Sequence, residues 1–200
     1  MQISIEKYQD KDFSNSIALL VSSFESKFLH RQSLGQKDVE RILQSTWDIR
    51  EGDPGYLHYV AKVDDKIVGT ILIRYGQVPK NRRKIPLLDL IRRYGLFNML
   101  LLIFKLSILE IFNFKDCYVE HIAVDQTMRG KGIGEQLISH CEKILLAMGY
   151  SRLSLAVAKH NPAKRLYDRL GFEEVKQINH RYKRFFIGIG EWVFMVKELT

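Results

Sequence analysis

One run in this sequence restricts the local fold more than any other: Val124-Asp125-Gln126-Thr127-Met128-Arg129-Gly130-Lys131-Gly132-Ile133-Gly134. Tyr118 to Val124 before the glycines reads as a strand. Gly134 to Met148 reads as a helix with Leu137, Ile138, Cys141, Ile144 and Leu145 facing inward. Three alternating glycines permit positive φ and close approach, so successive N–H groups converge on one concavity that the helix N-terminus makes electropositive. Arg129 and Lys131 add formal charge, the first as a planar fork and the second as a point charge. A turn of this kind suits phosphate oxygens.

The identity of the phosphate ligand is narrowed by what the loop lacks. A Walker loop needs Lys and then Ser or Thr beside its last glycine, and here Gly134 is followed by Glu135. The dinucleotide fingerprint needs glycines at its first, third and sixth positions. The third residue after Gly132 is Glu135, and this is not the first strand–helix turn of the chain. From the residues alone, a tight turn with no ligand stays open beside the phosphate cradle.

The rest of the chain supplies a single domain over residues 1–200. Ile3 to Tyr8 reads as a strand. A helix follows through Asp12 to Lys27 on Ile17, Leu20, Val21 and Phe24, and a second over Asp38 to Arg50 on Val39, Ile42, Leu43 and Trp47. Tyr56–Val63 and Ile67–Tyr75 form a hairpin about Asp64-Asp65. Beyond the glycine turn come a strand at Arg152–Ala158 and a helix capped by Asn161, with Pro162 first and Gly171 closing it. Phe172–Ile178 and Phe185–Lys197 read as closing strands. The layout is α/β of the α+β kind, one mixed and mostly antiparallel sheet flanked by helices, with Tyr118–Val124 and Arg152–Ala158 as parallel neighbours across a right-handed crossover.

Two motifs together carry a resemblance. Arg129-x-x-Gly132-x-Gly134 follows a strand ending at Val124, and Asn161-x-Ala163-x-x-Leu166-Tyr167-x-x-x-Gly171-Phe172 lies some way downstream. The stretch Tyr118–Val175 closely resembles the GCN5-related N-acetyltransferase (GNAT) family, which often has Pro where this chain has Gln126. The resemblance implies that Arg129, Gly130, Lys131, Gly132, Ile133 and Gly134 hold the pyrophosphate of coenzyme A. Backbone groups of Ile122, Ala123 and Val124 would meet the pantetheine arm, Asn161 would lie beside it, and Tyr167 near the sulfur. It further implies a splayed pair of central strands with the thioester between them, acetyl-CoA as co-substrate and no metal.

Acetyl transfer needs an unprotonated amine, a polarised carbonyl and a proton for the departing thiolate. Tyr167 is the expected acid, since a phenol stays protonated at neutral pH. Glu120 is the expected base, because a carboxylate inside the apolar strand Tyr118–Val124 calls for solvent, a partner or catalysis. An ordinary exposed or paired glutamate stands beside that reading. His121 falls on the opposite face if the strand is regular. The expected activity is transfer of acetyl from acetyl-CoA to a primary amine by direct attack in a ternary complex. The alternative is a noncatalytic acyl-CoA-binding or sensing module on the same fold.

Composition enters as exclusion. With 46% hydrophobic, 27% charged and 4 Pro among 200 residues, the chain is neither disordered nor fibrous. Cys117 and Cys141 make no disulfide framework and no metal-ligand spacing, and the start has no secretory pattern, so a cytoplasmic setting is expected. A net charge of +8 favours an anionic partner, although no nucleic-acid module is recognisable and no nucleic-acid partner is expected. The acceptor is a small amine or an amine of a peptide or protein.

Residues 76–115 interrupt the strand pattern as a helical insertion. Its basic part holds Lys80, Arg82, Arg83, Lys84, Arg92 and Arg93, and Leu96–Phe114 is a wide apolar helix whose Asn98, Lys105, Glu110 and Asn113 fall on one narrow stripe, with Ser107 off it. Three uses are open: packing over the sheet or as a wall of the acceptor cleft, a homodimer interface, or peripheral membrane contact through 80–114.

Overall fold

The computed structural model describes residues 2–31, 33–47, 50–76, 85–109, 117–179 and 181–200. Lys80, Arg82, Arg83, Lys84, Glu110 and Asn113 of the insertion lie outside the described residues. Seven strands form one sheet: β1 (Ser4–Lys7), β2 (Tyr56–Val63), β3 (Lys66–Arg74), β4 (Cys117–Val124), β5 (Arg152–Ala158), β6 (Glu173–Asn179) and β7 (Glu191–Glu198). Their order is β1-β2-β3-β4-β5-β7-β6, antiparallel throughout except for the parallel pair β4–β5. Asp64 and Asp65, both at positive φ, make the β2–β3 turn short enough for direct pairing of Val63 with Lys66.

Helix α6 (Ile133–Ala147) covers one face of the sheet, burying Leu137, Ile138, Cys141 and Leu145 against Ile71, Ile73, Val119 and Leu155. Its approach is close. A Cβ on Gly69 of β3 would lie 2.9 Å from Ile133 Cγ2 and 3.0 Å from Leu137 Cδ1, so any larger residue there would push helix and sheet apart. Both cysteines are buried here as free thiols, and burial pushes the Cys141 thiol up to about 12.

On the other face lie α1 (Phe13–Ser23), α2 (Glu25–Leu29) and α3 (Gln36–Thr46). The helix expected over Asp12–Lys27 is therefore two, broken at Phe24, whose ring packs into two adjoining clusters. The second helix stops at Thr46 rather than Arg50, leaving Trp47 extended. The insertion forms α4 (Leu87–Tyr94) and α5 (Leu96–Leu109), which pack through Leu90, Met99 and Leu102 onto Ile17, Val21, Phe28 and Ile42. Among the described residues it is thus a further layer over the α1–α3 helices. At the other end, Phe185–Ile187 belongs to α8 (Arg181–Ile187), not to the closing strand; Gly188 at φ +75° turns the chain into β7.

Candidate functional site

Strands β4 and β5 pair at two positions, Cys117 with Leu153 and Tyr118 with Ser154, where the Ser154 hydroxyl also donates to the Cys117 carbonyl at 2.9 Å. Past Tyr118 the two strands diverge. The gap opens into a cleft of about 1170 Å³ whose lining includes Ile122, Ala123 and Val124 of β4, Ala158 of β5 and the turn into α6. Splayed central strands are therefore present as the resemblance implied.

Asp125 shapes the exit from β4. Its Oδ1 accepts from the Thr127 backbone N–H at 2.9 Å and from the Thr127 hydroxyl, bonds that hold its carboxyl below the usual range. Gly130 and Gly132 follow at φ +76° and +75°, and a Cβ at either would meet nothing closer than Gln136 Nε2 at 3.8 Å. Backbone conformation, not space, selects glycine at these two positions. Gly134 is the reverse case: a Cβ there would stand 3.1 Å from Leu166 Cδ2 of α7 (Lys164–Arg169), so its smallness lets α6 start against α7. The first helical bond of α6 runs from Gln136 N to Gly132 O at 3.0 Å. The N–H groups of Ile133, Gly134 and Glu135 therefore precede the ladder at the electropositive end of a 15-residue helix, on the cleft wall. This donor set and the glycine hollow fit a pyrophosphate.

Arg129 also lines the cleft, its Nε folded back onto the Val124 carbonyl at 3.2 Å. Lys131 does not line it; its amine turns to Met128 Sδ at 3.4 Å. Across the gap, Asn161 accepts through Oδ1 from the Ala163 N–H at 2.9 Å. The helix it was expected to cap begins only at Lys164, after a turn through Pro162 and Ala163. With Oδ1 engaged, its Nδ2 donors are what Asn161 can offer a ligand.

Tyr167 lines the cleft with its ring buried edge-on against Phe172, centroids 5.9 Å apart, and burial pushes the phenol up to about 12. Glu120 is placed elsewhere. The register between β3 and β4 shifts there, and the extra residue leaves Glu120 outside the cleft lining with its carboxylate on Arg74 Nε at 2.6 Å. Of the alternatives for this carboxylate, the structure shows a partner and solvent: its side chain is 29% exposed and ion-paired. The same bulge puts Val119 and Ile122 on the α6 face, and His121 on the face of α1, edge-on to Trp47 and His58. Burial lowers His121 to about 3, and burial with the facing His121 depresses His58.

Sequence reasoning missed the far wall. Ser23 and Phe24 at the end of α1, Asn179 at the end of β6, Arg184 of α8, Gly188 to Gly190 before β7 and Glu191 at its start all line the cleft. The signal was Gly188-Ile189-Gly190, a turn pattern that interrupts the supposed strand. Glu191 is held below the ordinary carboxylate range by a hydrogen bond from Lys159. Arg129, Arg169 and Arg184 make the described rim more basic than acidic.

A family model described as acetyltransferase (GNAT) family matches residues 21–172. Among solved structures, the chain is similar to the ribosomal-protein-S18-alanine N-acetyltransferase of Escherichia coli, at 16% identity and a TM-score of 0.59, covering 100% of this chain and 95% of that one. It is similar to a GNAT-family acetyltransferase of Streptococcus pneumoniae at 18% identity and 0.59, with 100% of both chains covered. The PaiA N-acetyltransferase of Thermoplasma acidophilum in complex with coenzyme A matches at 14% identity and 0.57, with 99% of each chain covered. No curated protein matches the sequence.

Proposed function

The chain belongs to the GNAT acetyltransferase family, and from that premise we propose that it transfers the acetyl group of acetyl-CoA to a primary amine by direct attack within a ternary complex. The observation that carries the reading is the juxtaposition in one cleft of the unpaired N–H groups at the start of α6 with the Tyr167 phenol. The N–H groups of Ile133, Gly134 and Glu135, with Arg129 beside them, bind the pyrophosphate. The strand end Ile122–Val124 presents backbone groups to the amide-rich arm, and Asn161 Nδ2 lies across from it. This arrangement sets the thioester at the splay between β4 and β5.

There the amine nitrogen forms its bond to the acetyl carbon as the carbon–sulfur bond breaks. Tyr167 hands its hydroxyl proton to the departing sulfur, which its raised pKa keeps available over the whole neutral range. Glu120, two residues before Ile122 on β4, takes the amine's proton through water, since it does not reach the cleft itself. The acceptor enters from the side lined by Phe24, Asn179, Arg184 and Glu191.

Titration calorimetry with acetyl-CoA, set against 3′-dephospho-CoA and ATP, tests the cradle, and thiol release over a panel of amines tests transfer. Selective micromolar-range binding with amine-dependent release supports the enzyme. Binding without release from any amine gives the noncatalytic coenzyme-binding module instead, and no binding overturns the reading altogether.

A further inference from the structure

Helix α5 is built inside out. Two of its polar residues point into the protein: Lys105 is fully buried, donating to the carbonyls of Phe28 at 2.9 Å and His30 at 2.5 Å, and so closes the C-terminal end of α2. Asn98 donates to the Tyr94 carbonyl at 2.9 Å and meets the Ser33 hydroxyl at 2.9 Å, fixing the corner between α4 and α5. With Asn98 and Lys105 used for anchoring, the opposite stripe faces outward, and its residues from Leu96 to Phe104 are apolar. Leu96, Phe97, Leu100, Ile103 and Phe104 are all exposed, Phe97 by 76% and Leu100 by 57%. The patch continues through Phe104, edge-on to Phe186 at 4.6 Å, and on to Phe185, which carries the Arg31 guanidinium 4.1 Å above its ring.

We infer that this outward stripe of α5, together with Arg92 and Arg93 of α4, docks the protein on an anionic lipid surface. Charge selects that occupant. Asp89 is the only acidic residue between Ile85 and Leu109, Arg92 and Arg93 are exposed in the last turn of α4 just before α5 begins, and Arg31 stands over Phe185. A second copy would bring another +8, whereas an anionic bilayer offers both the opposite charge and an apolar layer for Phe97 and Leu100. The 14 residues of α5 extend about 21 Å, short of the roughly 30 Å hydrocarbon core, and no helix among the described residues is long and apolar enough to cross a membrane. The helix therefore lies along the interface. Because α8 sends Phe185 into the patch and Arg184 into the cleft, docking sets the far wall of the cleft beside the bilayer.

The test is cosedimentation of the full chain with vesicles of phosphatidylcholine alone or mixed with phosphatidylglycerol. The expected result is binding to the mixed vesicles that salt weakens, and little to the neutral ones. F97S/L100S is expected to bind at least about tenfold more weakly, from the two apolar side chains lost. R92S/R93S is expected to lose about tenfold or more. Calorimetric coenzyme binding reports that each variant is folded; if F97S/L100S loses it, Leu96→Gln is read in its place. Absence of binding to mixed vesicles, or undiminished binding by F97S/L100S, overturns the inference. So does a dimer in light scattering that the same variant dissociates, which makes the stripe an interface between copies.

Discussion

Arg74 Nε on β3 donates to Glu120 Oε1 on β4 at 2.6 Å, at the bulge where the register of the two strands shifts. The pair gives Glu120 a fixed direction beside the cleft without making it part of the lining. In the mechanism proposed above, a carboxylate placed this way would act at one remove, through water.

Glu120→Gln is therefore expected to lower kcat by about a hundredfold while leaving the coenzyme Kd unchanged. Arg74→Gln breaks the same ion pair and keeps the carboxylate, so it should cost much less activity. Steady-state kinetics and calorimetry on both variants separate the roles. Equal losses in the two would reduce Glu120 to a structural partner of Arg74.

Tyr167→Phe keeps the buried ring against Phe172 and removes the proton donor. A fall in kcat of about a hundredfold with little change in coenzyme affinity is expected. The phenol is pushed up to about 12, so wild-type activity should not decline through loss of this proton below pH 10. An alkaline limb near neutrality that disappears in Tyr167→Phe would contradict that placement.

The two kinds of glycine in the cradle should fail differently. Gly132→Ala forces a side chain to φ +75°, costing about 1–2 kcal/mol in folding and displacing the N–H groups proposed to meet the pyrophosphate. Gly134→Ala instead presses on Leu166 at 3.1 Å and disturbs the α6–α7 contact. Thermal unfolding should register both, and calorimetry should show the larger loss of coenzyme affinity in Gly132→Ala.

His58 and His121 predict acid sensitivity. Both are held neutral in the fold, far below the unfolded value of 6.5, so the unfolded chain binds more protons as pH falls. Their stabilisation is complete above pH 6.5 and is lost as pH falls below it; for His121, lowered to about 3, the loss is about 1 kcal/mol between pH 6.5 and 5.5. Denaturant titrations across that range check it. His121→Phe should flatten the part of the slope that His121 carries.

Much of the site could be read from contiguous residues, since the strand, glycine turn and helix from Tyr118 to Met148 carry their own instructions. Of the residues expected to hold coenzyme, Ile122 to Val124, Arg129, Gly130, Gly132 to Gly134 and Asn161 do line the cleft, whereas Lys131 does not. A charged residue in a loop can turn to either side, and its number in the motif does not say which. Arg184 and Glu191 went unread because their approach to the cleft depends on α8, a helix in a stretch whose aromatic residues match a strand equally well.

The chain alone determined the order of its strands, most of its helices and the glycine turn at the start of α6, because φ preference, periodicity and helix-end chemistry act over a few neighbouring residues. It did not determine which way α5 faces. A wide apolar helix buries its apolar side unless some other demand is stronger, and here the open carbonyls of Phe28 and His30 take the Lys105 amine from 77 and 75 residues away. That long-range hydrogen bonding turns Phe97 and Leu100 to the outside, and the bulge at Glu120 decides in the same manner which face of β4 meets α6. Contacts between distant segments settle orientation, and they exist only once the layers have packed.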